Sequence, residues 1–256
     1  MSEHLIVETK ERFMRVELAR LDKKNALTQE MYQALGDALA AADADPQVRA
    51  VLIHGRPDCF CAGNDLKDFL ERPPHAEASP SWRFLRLLAG AQKPLVAAVG
   101  GPAVGIGTTM LLHCDLVYAA PNARFQLPFV PLGVVPEAAS SLLLPLTAGY
   151  QRAAELLLLG QTFGTAKALA AGIVTEVIPE GELLEYARDA ALGLAALPAA
   201  SVRLTKQLMK RRLAQPIAEQ LDEENRLFRE RLGSPEAKEA MTAFFEKRKP
   251  DFSKFS

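Results

Sequence analysis

Three stretches of the chain hold residue types in an order suited to chemistry. The first is Gly100-Gly101-Pro102-Ala103-Val104-Gly105-Ile106-Gly107, between the apolar run at 95–99 and an apolar segment at 108–114. A strand, a glycine turn and a helix start in that order leave backbone N–H groups without intrahelical acceptors. Such groups bind an anion or stabilise one that forms during a reaction. A tight turn that lets a helix pack closely on a sheet accounts for the same glycines. The second stretch, Phe60-Cys61-Ala62-Gly63-Asn64-Asp65-Leu66, is a breaker-rich loop after the apolar run at 48–54, and it brings further N–H groups to the same side of the sheet. The third is Glu137, an acid after Pro136 with Val134, Val135, Ala138 and Ala139 around it. Apolar neighbours raise a carboxyl pKa and suit it to proton transfer, whereas a helix first turn lowers it. Pro136 predicts such a first turn, with a helix over 137–144.

Other chemistries do not fit. A dinucleotide fingerprint starting at Gly105 needs glycine at its sixth position, which is Met110. A phosphate-binding loop needs a Gly-Lys pair, and the sequence has none. Cys59-x-Cys61 is too close for ordinary zinc spacing, so no metal is expected. No Ser/His/Asp triad can be argued. His4 and His75 read as surface groups, His54 as a strand end and His113 as a packed helix residue. Asp58, Asp68 and Glu71 read as solvated acids. Trp82, Phe84 and Leu85 read as core in preference to pocket lining.

The elements that must position these stretches follow from hydrophobic periodicity. Strands are expected near 5–9, 13–18, 48–54, 95–99, 116–120 and 173–177. Helices are expected at 29–43, after Ser79-Pro80 to near Gly90, and at 151–159 and 165–171. Everything beyond Glu182 reads as helix, in segments 183–194, 198–213, 217–232 and 235–245. Strands and helices alternate early and helices alone follow, an α/β pattern with a helical C-terminal portion. The 256 residues are 49% hydrophobic and 24% charged, enough for a large core. A net charge of −1 gives no global field favouring nucleic acid or a membrane surface. Lys210-Arg211-Arg212 reads as a solvated helix face. Three cysteines, no signal-like N-terminus and no apolar run of spanning length lead to the expectation of a reduced, cytoplasmic protein.

Taken together, Phe60-Cys61-Ala62-Gly63-Asn64-Asp65-Leu66, Lys24-Asn25-Ala26-Leu27, Gly101 to Gly107, Cys114-Asp115 and Phe244-Phe245-Glu246-Lys247-Arg248 resemble the crotonase (enoyl-CoA hydratase/isomerase) family. The five matches run in the right order over nearly the whole chain. Gly101 to Gly105 and Pro136-Glu137-Ala138-Ala139-Ser140-Ser141 resemble the Δ3,Δ2-enoyl-CoA isomerase subgroup most closely. The resemblance implies a ββα spiral core, taken as residues 1–195, and a helical oligomerisation region, 196–256, with trimers or hexamers. It implies an acyl-CoA thioester whose carbonyl oxygen sits between the N–H groups of Asn64 and Ile106. It places CoA against Lys24, Ala26, Leu27, Ala62, Gly63, Asp65, Leu66 and Gly105, with Phe244 and Lys247 from a neighbouring subunit; Lys24 and Lys247 taken alone read as solvated charges. Coenzyme A belongs to the substrate, and no separate cofactor is implied. The two glutamates with which the family hydrates a double bond fall on Thr109 and Phe129, neither of which can act as a carboxylate base. Glu137 falls where the isomerases keep one catalytic glutamate and related dehalogenases an aspartate. The reading is therefore an isomerase. Another enolate or hydrolytic reaction of a thioester, or a non-catalytic acyl-CoA binder, are the alternatives, the last disfavoured by the retained acid.

Overall fold

Strands that are apolar at every position must be covered on both faces, and that requirement organises the molecule. The computed structural model describes residues 3–71 and 79–255, with only the backbone at 69–71. The readings of His75 and of the Glu71 side chain lie outside the described residues. The strands are β1 (Leu5–Lys10), β2 (Phe13–Leu18), β3 (Ala50–His54), β4 (Leu95–Val99), β5 (Pro102–Val104), β6 (Leu116–Ala119), β7 (Arg124–Gln126), β8 (Phe163–Gly164) and β9 (Glu176–Val177). The helices are α1 (Gln29–Ala44), α2 (Leu66–Glu71), α3 (Pro80–Gly90), α4 (Ile106–Thr109), α5 (Ser140–Ala148), α6 (Tyr150–Leu159), α7 (Thr165–Ala170), α8 (Leu183–Ala196), α9 (Ala199–Lys210), α10 (Ala214–Leu232) and α11 (Pro235–Phe245).

The large sheet has the order β1-β2-β3-β4-β6-β9, parallel except for the β1–β2 hairpin. Every residue of β3 and β4 is buried. Because successive side chains alternate between faces, Val51, Ile53, Leu95 and Ala97 join the main core with Met31 and Leu35 of α1 and Phe84 and Leu88 of α3. Ala50, Leu52, Val96 and Ala98 meet Ala187 and Ala191 of α8 on the other face. Ile217 and Leu221 of α10 and Ala237 of α11 belong to the main core too. The C-terminal helices thus share one core with the sheet. Among the described residues, no helix is long and apolar enough to cross a membrane.

A smaller layer stands beyond the C-terminal ends of the central strands. It contains β5, β7 and β8 and extends through the bridges Cys61↔Ala103 and Leu27↔Asn64. Each pass of the chain therefore makes a strand of the large sheet, an extended segment of the small layer and then a helix. This is the expected α/β ββα spiral, although no repeat is legible in the residues. Two expectations are corrected. The strand predicted at 173–177 shrinks to β9, because the N–H groups of Ile173 and Val174 turn back to the Ala168 carbonyl of α7. The helix predicted over 137–144 starts at Ser140, so Glu137 is not in a helix first turn.

The two layers meet through glycines. Gly105 has φ +54° and ψ −119°, a combination closed to L residues with side chains. It turns the chain out of β5 into α4. A Cβ on Gly107 would lie 2.5 Å from the Cys61 carbonyl oxygen, so α4 touches the 60–66 loop without a side chain between them. Gly107→Ala is expected to cost about 2–3 kcal/mol through this clash. Thermal melting should then show Tm lower by on the order of 5–10 °C; an unchanged Tm contradicts the close approach.

Candidate active site

The second glycine-bearing loop is held on both sides by backbone. Leu27 N–H donates to the Gly63 carbonyl at 2.8 Å, and Asp65 N–H to the Leu27 carbonyl at 2.9 Å. Opposite, Cys61 N–H donates to Pro102 O at 3.0 Å and Val104 N–H to Cys61 O at 2.9 Å. Between those bonds the Asn64 N–H has no acceptor among the described residues. The Ile106 N–H, first in α4, has none either, as expected for the first residue of a helix. Two donors without acceptors among the described residues therefore sit beside the small layer, one in the 60–66 loop and one where β5 passes into α4.

Asn64, Gly105 and Glu137 border one cavity of about 950 Å³. Its wall is mainly apolar, from Val104, Phe129, Val134, Phe228, Met241 and Phe244, with Arg20, Lys23 and Lys67 at its polar end. Ala26, Ala62, Gly63, Asp65 and Leu66 line it too. Lys24, Leu27, Ile106 and Lys247 are not among its lining residues. Lys24 is exposed and engaged through its carbonyl, which accepts from Ala62 N–H at 2.9 Å; of the two adjacent lysines, Lys23 lines the cavity. Leu27 is buried and acts through the backbone pairing above. Ile106 is also fully buried and offers only its N–H. Phe244 lines the cavity of its own chain, where the resemblance supplied it from a neighbour. Asp65 is already committed. Burial raises its pKa, but the Asp68 N–H, Arg20 at 2.7 Å and the Lys67 N–H outweigh that and hold it ionised. Asp68, read as solvated, is buried and accepts from Gln29 N–H at 2.9 Å.

Glu137 contrasts with Asp65. Its Oε1 is buried without a hydrogen-bond partner among the described residues. Burial, followed by the nearby Glu224 carboxyl, pushes its pKa up to about 8. A carboxyl at that value is poised to take and return a proton near neutral pH. A side recess of about 30 Å³ beside it is lined by Tyr32, Asn64, Trp82, Leu85, Leu221 and Phe228, among others. Trp82 and Leu85, assigned to the core, thus also reach the site; Phe84 is fully buried against Tyr32, ring centroids 5.6 Å apart. Tyr32 donates its hydroxyl to Asn64 Oδ1 at 2.5 Å. Tyr32, Glu224 and Phe228 are site residues that sequence reasoning missed. Thr109 is fully buried, its hydroxyl has no partner among the described residues, and it is not among the residues that line the cavity, whereas Phe129 is.

The Asn64 N–H and the Glu137 carboxyl border one mainly apolar cavity, and the Ile106 N–H follows its lining residue Gly105; such an arrangement suits reactions through a stabilised oxyanion. The family model described as enoyl-CoA hydratase/isomerase matches residues 8–254. The chain belongs to the enoyl-CoA hydratase/isomerase, or crotonase, family of enzymes. It is 33% identical over 253 residues to a probable enoyl-CoA hydratase of Mycobacterium bovis, covering 98% of each chain. It is 36% identical over 217 residues to enoyl-CoA delta isomerase 2 of Homo sapiens, covering 82% of this chain and 55% of the human one. The crystal structure of an enoyl-CoA hydratase/isomerase from Pseudoalteromonas atlantica superposes with a TM-score of 0.94 at 42% identity, covering 98% of this chain and all of the other.

Proposed function

We propose that this enzyme moves the double bond of a 3-enoyl-CoA to the 2-position, with Glu137 as the single proton shuttle. The observation that carries the reading is Glu137, whose carboxyl has one oxygen buried without a partner among the described residues and lines the cavity with Asn64 and Gly105, while Thr109 and Phe129 stand where the resemblance places the hydratase glutamates. The C2 hydrogens of the substrate lie between a thioester carbonyl and a double bond, so removing one gives a delocalised dienolate. Negative charge that develops on the thioester oxygen is met by the N–H groups of Asn64 and Ile106. Glu137, now protonated, delivers the same proton to C4, and the double bond settles between C2 and C3. All electrons stay within the substrate, so the reaction needs no redox cofactor or metal.

Hydration differs in its needs, because water has to be held and deprotonated on one side of the double bond while a proton arrives on the other. An aromatic ring at position 129 and a buried threonine at 109 supply no base for that water. CoA fits the polar end of the cavity, where Arg20 and Lys23 meet phosphate charge and Phe244 offers a face for adenine. Assembly into trimers or pairs of trimers belongs to the same reading. It is supported by Leu204, Leu208 and Met209, which α9 leaves exposed on a single chain.

Incubation with 3-enoyl-CoA, 2-enoyl-CoA and saturated acyl-CoA tests the assignment. Conversion of the first to a 2-enoyl product, without 3-hydroxyacyl-CoA and without free CoA, is the expected result. Hydration of 2-enoyl-CoA that survives loss of Glu137, or release of CoA as the main product, contradicts it.

A further inference from the structure

The backbone that carries Glu137 turns on two buried residues. Ala138 and Ala139 both have left-handed conformations, with φ +61° and +54°. Residues with a Cβ avoid that region. Glu11-Arg12, both exposed, and Lys24-Asn25, of which Lys24 is exposed, also adopt it, whereas both residues of this pair are buried and held by their surroundings. Three polar anchors hold them. Glu224 of α10 accepts from Ala139 N–H at 2.6 Å through one oxygen. Through the other it accepts from Ser141 N–H at 3.0 Å and from the Ser141 hydroxyl at 2.5 Å. Gln220, one helical turn earlier, donates to that hydroxyl at 2.9 Å. From the opposite side, His113 Nε2 lies 2.8 Å from the Ala138 carbonyl oxygen. Burial lowers the His113 pKa to about 4, so the ring is neutral and donates this bond from Nε2.

Glu224 is 3% exposed, and its environment differs from that of Glu137. Both of its oxygens are occupied by donors, whereas Glu137 Oε1 has none. The two carboxyls border the same recess and, with Tyr32, are the titratable groups among the described residues that do so, with the buried Cys61 thiol close enough to feel the Glu137 charge. Burial raises the Glu224 pKa and the hydrogen bonds from Ser141 and Ala139 offset part of that rise; whenever Glu224 is ionised, its charge opposes ionisation of Glu137.

We propose that Glu224 is a positioning residue for the isomerisation: by clamping the N–H groups of Ala139 and Ser141, it sets the left-handed turn that aims the Glu137 carboxyl at the substrate. It touches neither substrate nor the reacting atoms. The proposal rests on Glu137 being the base. Removal of the clamp should misplace that base, so kcat falls while the CoA contacts, made elsewhere in the cavity, keep KM near its original value. Removal of the charge should make Glu137 easier to ionise.

The test compares the full-length wild type with Glu224→Gln and Glu224→Ala in steady-state conversion of 3-enoyl-CoA, alongside an infrared titration of the Glu137 carboxyl band, assigned by its loss in Glu137→Gln. Glu224→Gln keeps the shape and one accepting oxygen, so it remains informative if Glu224→Ala does not fold. The expected result for Glu224→Gln is a kcat at least about tenfold lower with KM within about twofold. The acid limb of kcat/KM and the infrared midpoint should both move to lower pH. A folded Glu224→Gln with wild-type kcat and an unmoved midpoint overturns the proposal, as does a loss expressed only in KM. A residue that merely supported the fold would lower Tm and leave the midpoint where it was. If the midpoint moves but the wild type does not isomerise 3-enoyl-CoA, the clamp stands and the assignment of the reaction fails.

Discussion

Glu137→Gln is expected to lower kcat for the 3-enoyl to 2-enoyl conversion on the order of 10³-fold, with little change in KM, since the contribution of a positioned general base is about 10²–10⁴-fold. The amide matches the carboxyl in shape and removes only the titrating proton. The pH dependence follows from the same residue. Its pKa is raised by burial and then by Glu224 to about 8 in the free enzyme, so the active, ionised form grows as pH rises towards 8. kcat/KM should climb about tenfold per pH unit below that value and level off above it. Stability has the opposite sign. The folded state binds the Glu137 proton more tightly than the unfolded chain, so its contribution is fully present below the ordinary carboxyl pKa and is lost as pH rises through about 8. Above pH 8 the fold therefore carries a buried carboxylate with an unpaired oxygen, and Glu137→Gln should be more stable there by on the order of 2 kcal/mol. Chemical denaturation at pH 5 and pH 9 measures it, and a variant less stable than wild type at both pH values contradicts the burial argument.

The second large effect is expected from the backbone. Ile106 is the first residue of α4, a position where proline is tolerated because the N–H has no intrahelical partner. Ile106→Pro deletes that N–H and leaves the rest of the peptide in place. If it is one of the two oxyanion donors, kcat should fall about 10²–10³-fold, the loss found when a single such donor is removed elsewhere. The exchange also trims a fully buried side chain, which costs about 1–3 kcal/mol of stability, so circular dichroism and Tm must accompany the kinetics. A folded variant with kcat within threefold of wild type would exclude the Ile106 N–H from the mechanism.

The parts of the fold that follow from periodicity were legible in the residues. β3 and β4 are short apolar runs bounded by breakers, α1 and α3 carry capping residues Thr28 and Ser79, and α11 starts at Ser234-Pro235. The two glycine-bearing loops were legible for a different reason, since their course depends on glycine placement, and Gly63, Gly105 and Gly107 sit where the chain must turn or touch. The start of α5 was not. Pro136 is a sound helix-start signal, but Glu224, which lies 83 residues beyond Ser141, accepts from its N–H and holds a left-handed pair that no local rule anticipates. Of the adjacent lysines Lys23 and Lys24, the backbone turn puts Lys23 at the cavity and leaves Lys24 exposed, a distinction that no pattern of residues shows. Glu224 itself left a signal. Ile217, Leu221, Glu224 and Phe228 follow the spacing of one helix face, and an acid in the middle of an apolar stripe is costly unless something receives it. Tyr32, between Met31 and Leu35 on the buried face of α1, carried the same kind of signal through its hydroxyl.

The claim at the centre of this account is that one buried carboxyl takes the proton from C2 and returns it to C4. A 3-enoyl-CoA carrying deuterium at C2, converted in ordinary water and analysed by mass spectrometry, tests it most directly. A single shuttle in a water-poor cavity predicts that part of the deuterium lost from C2 is recovered at C4 of the 2-enoyl product, and that Glu137→Gln forms neither labelled nor unlabelled product at a comparable rate. A product whose C4 hydrogen comes entirely from solvent, formed equally well by Glu137→Gln, would contradict it.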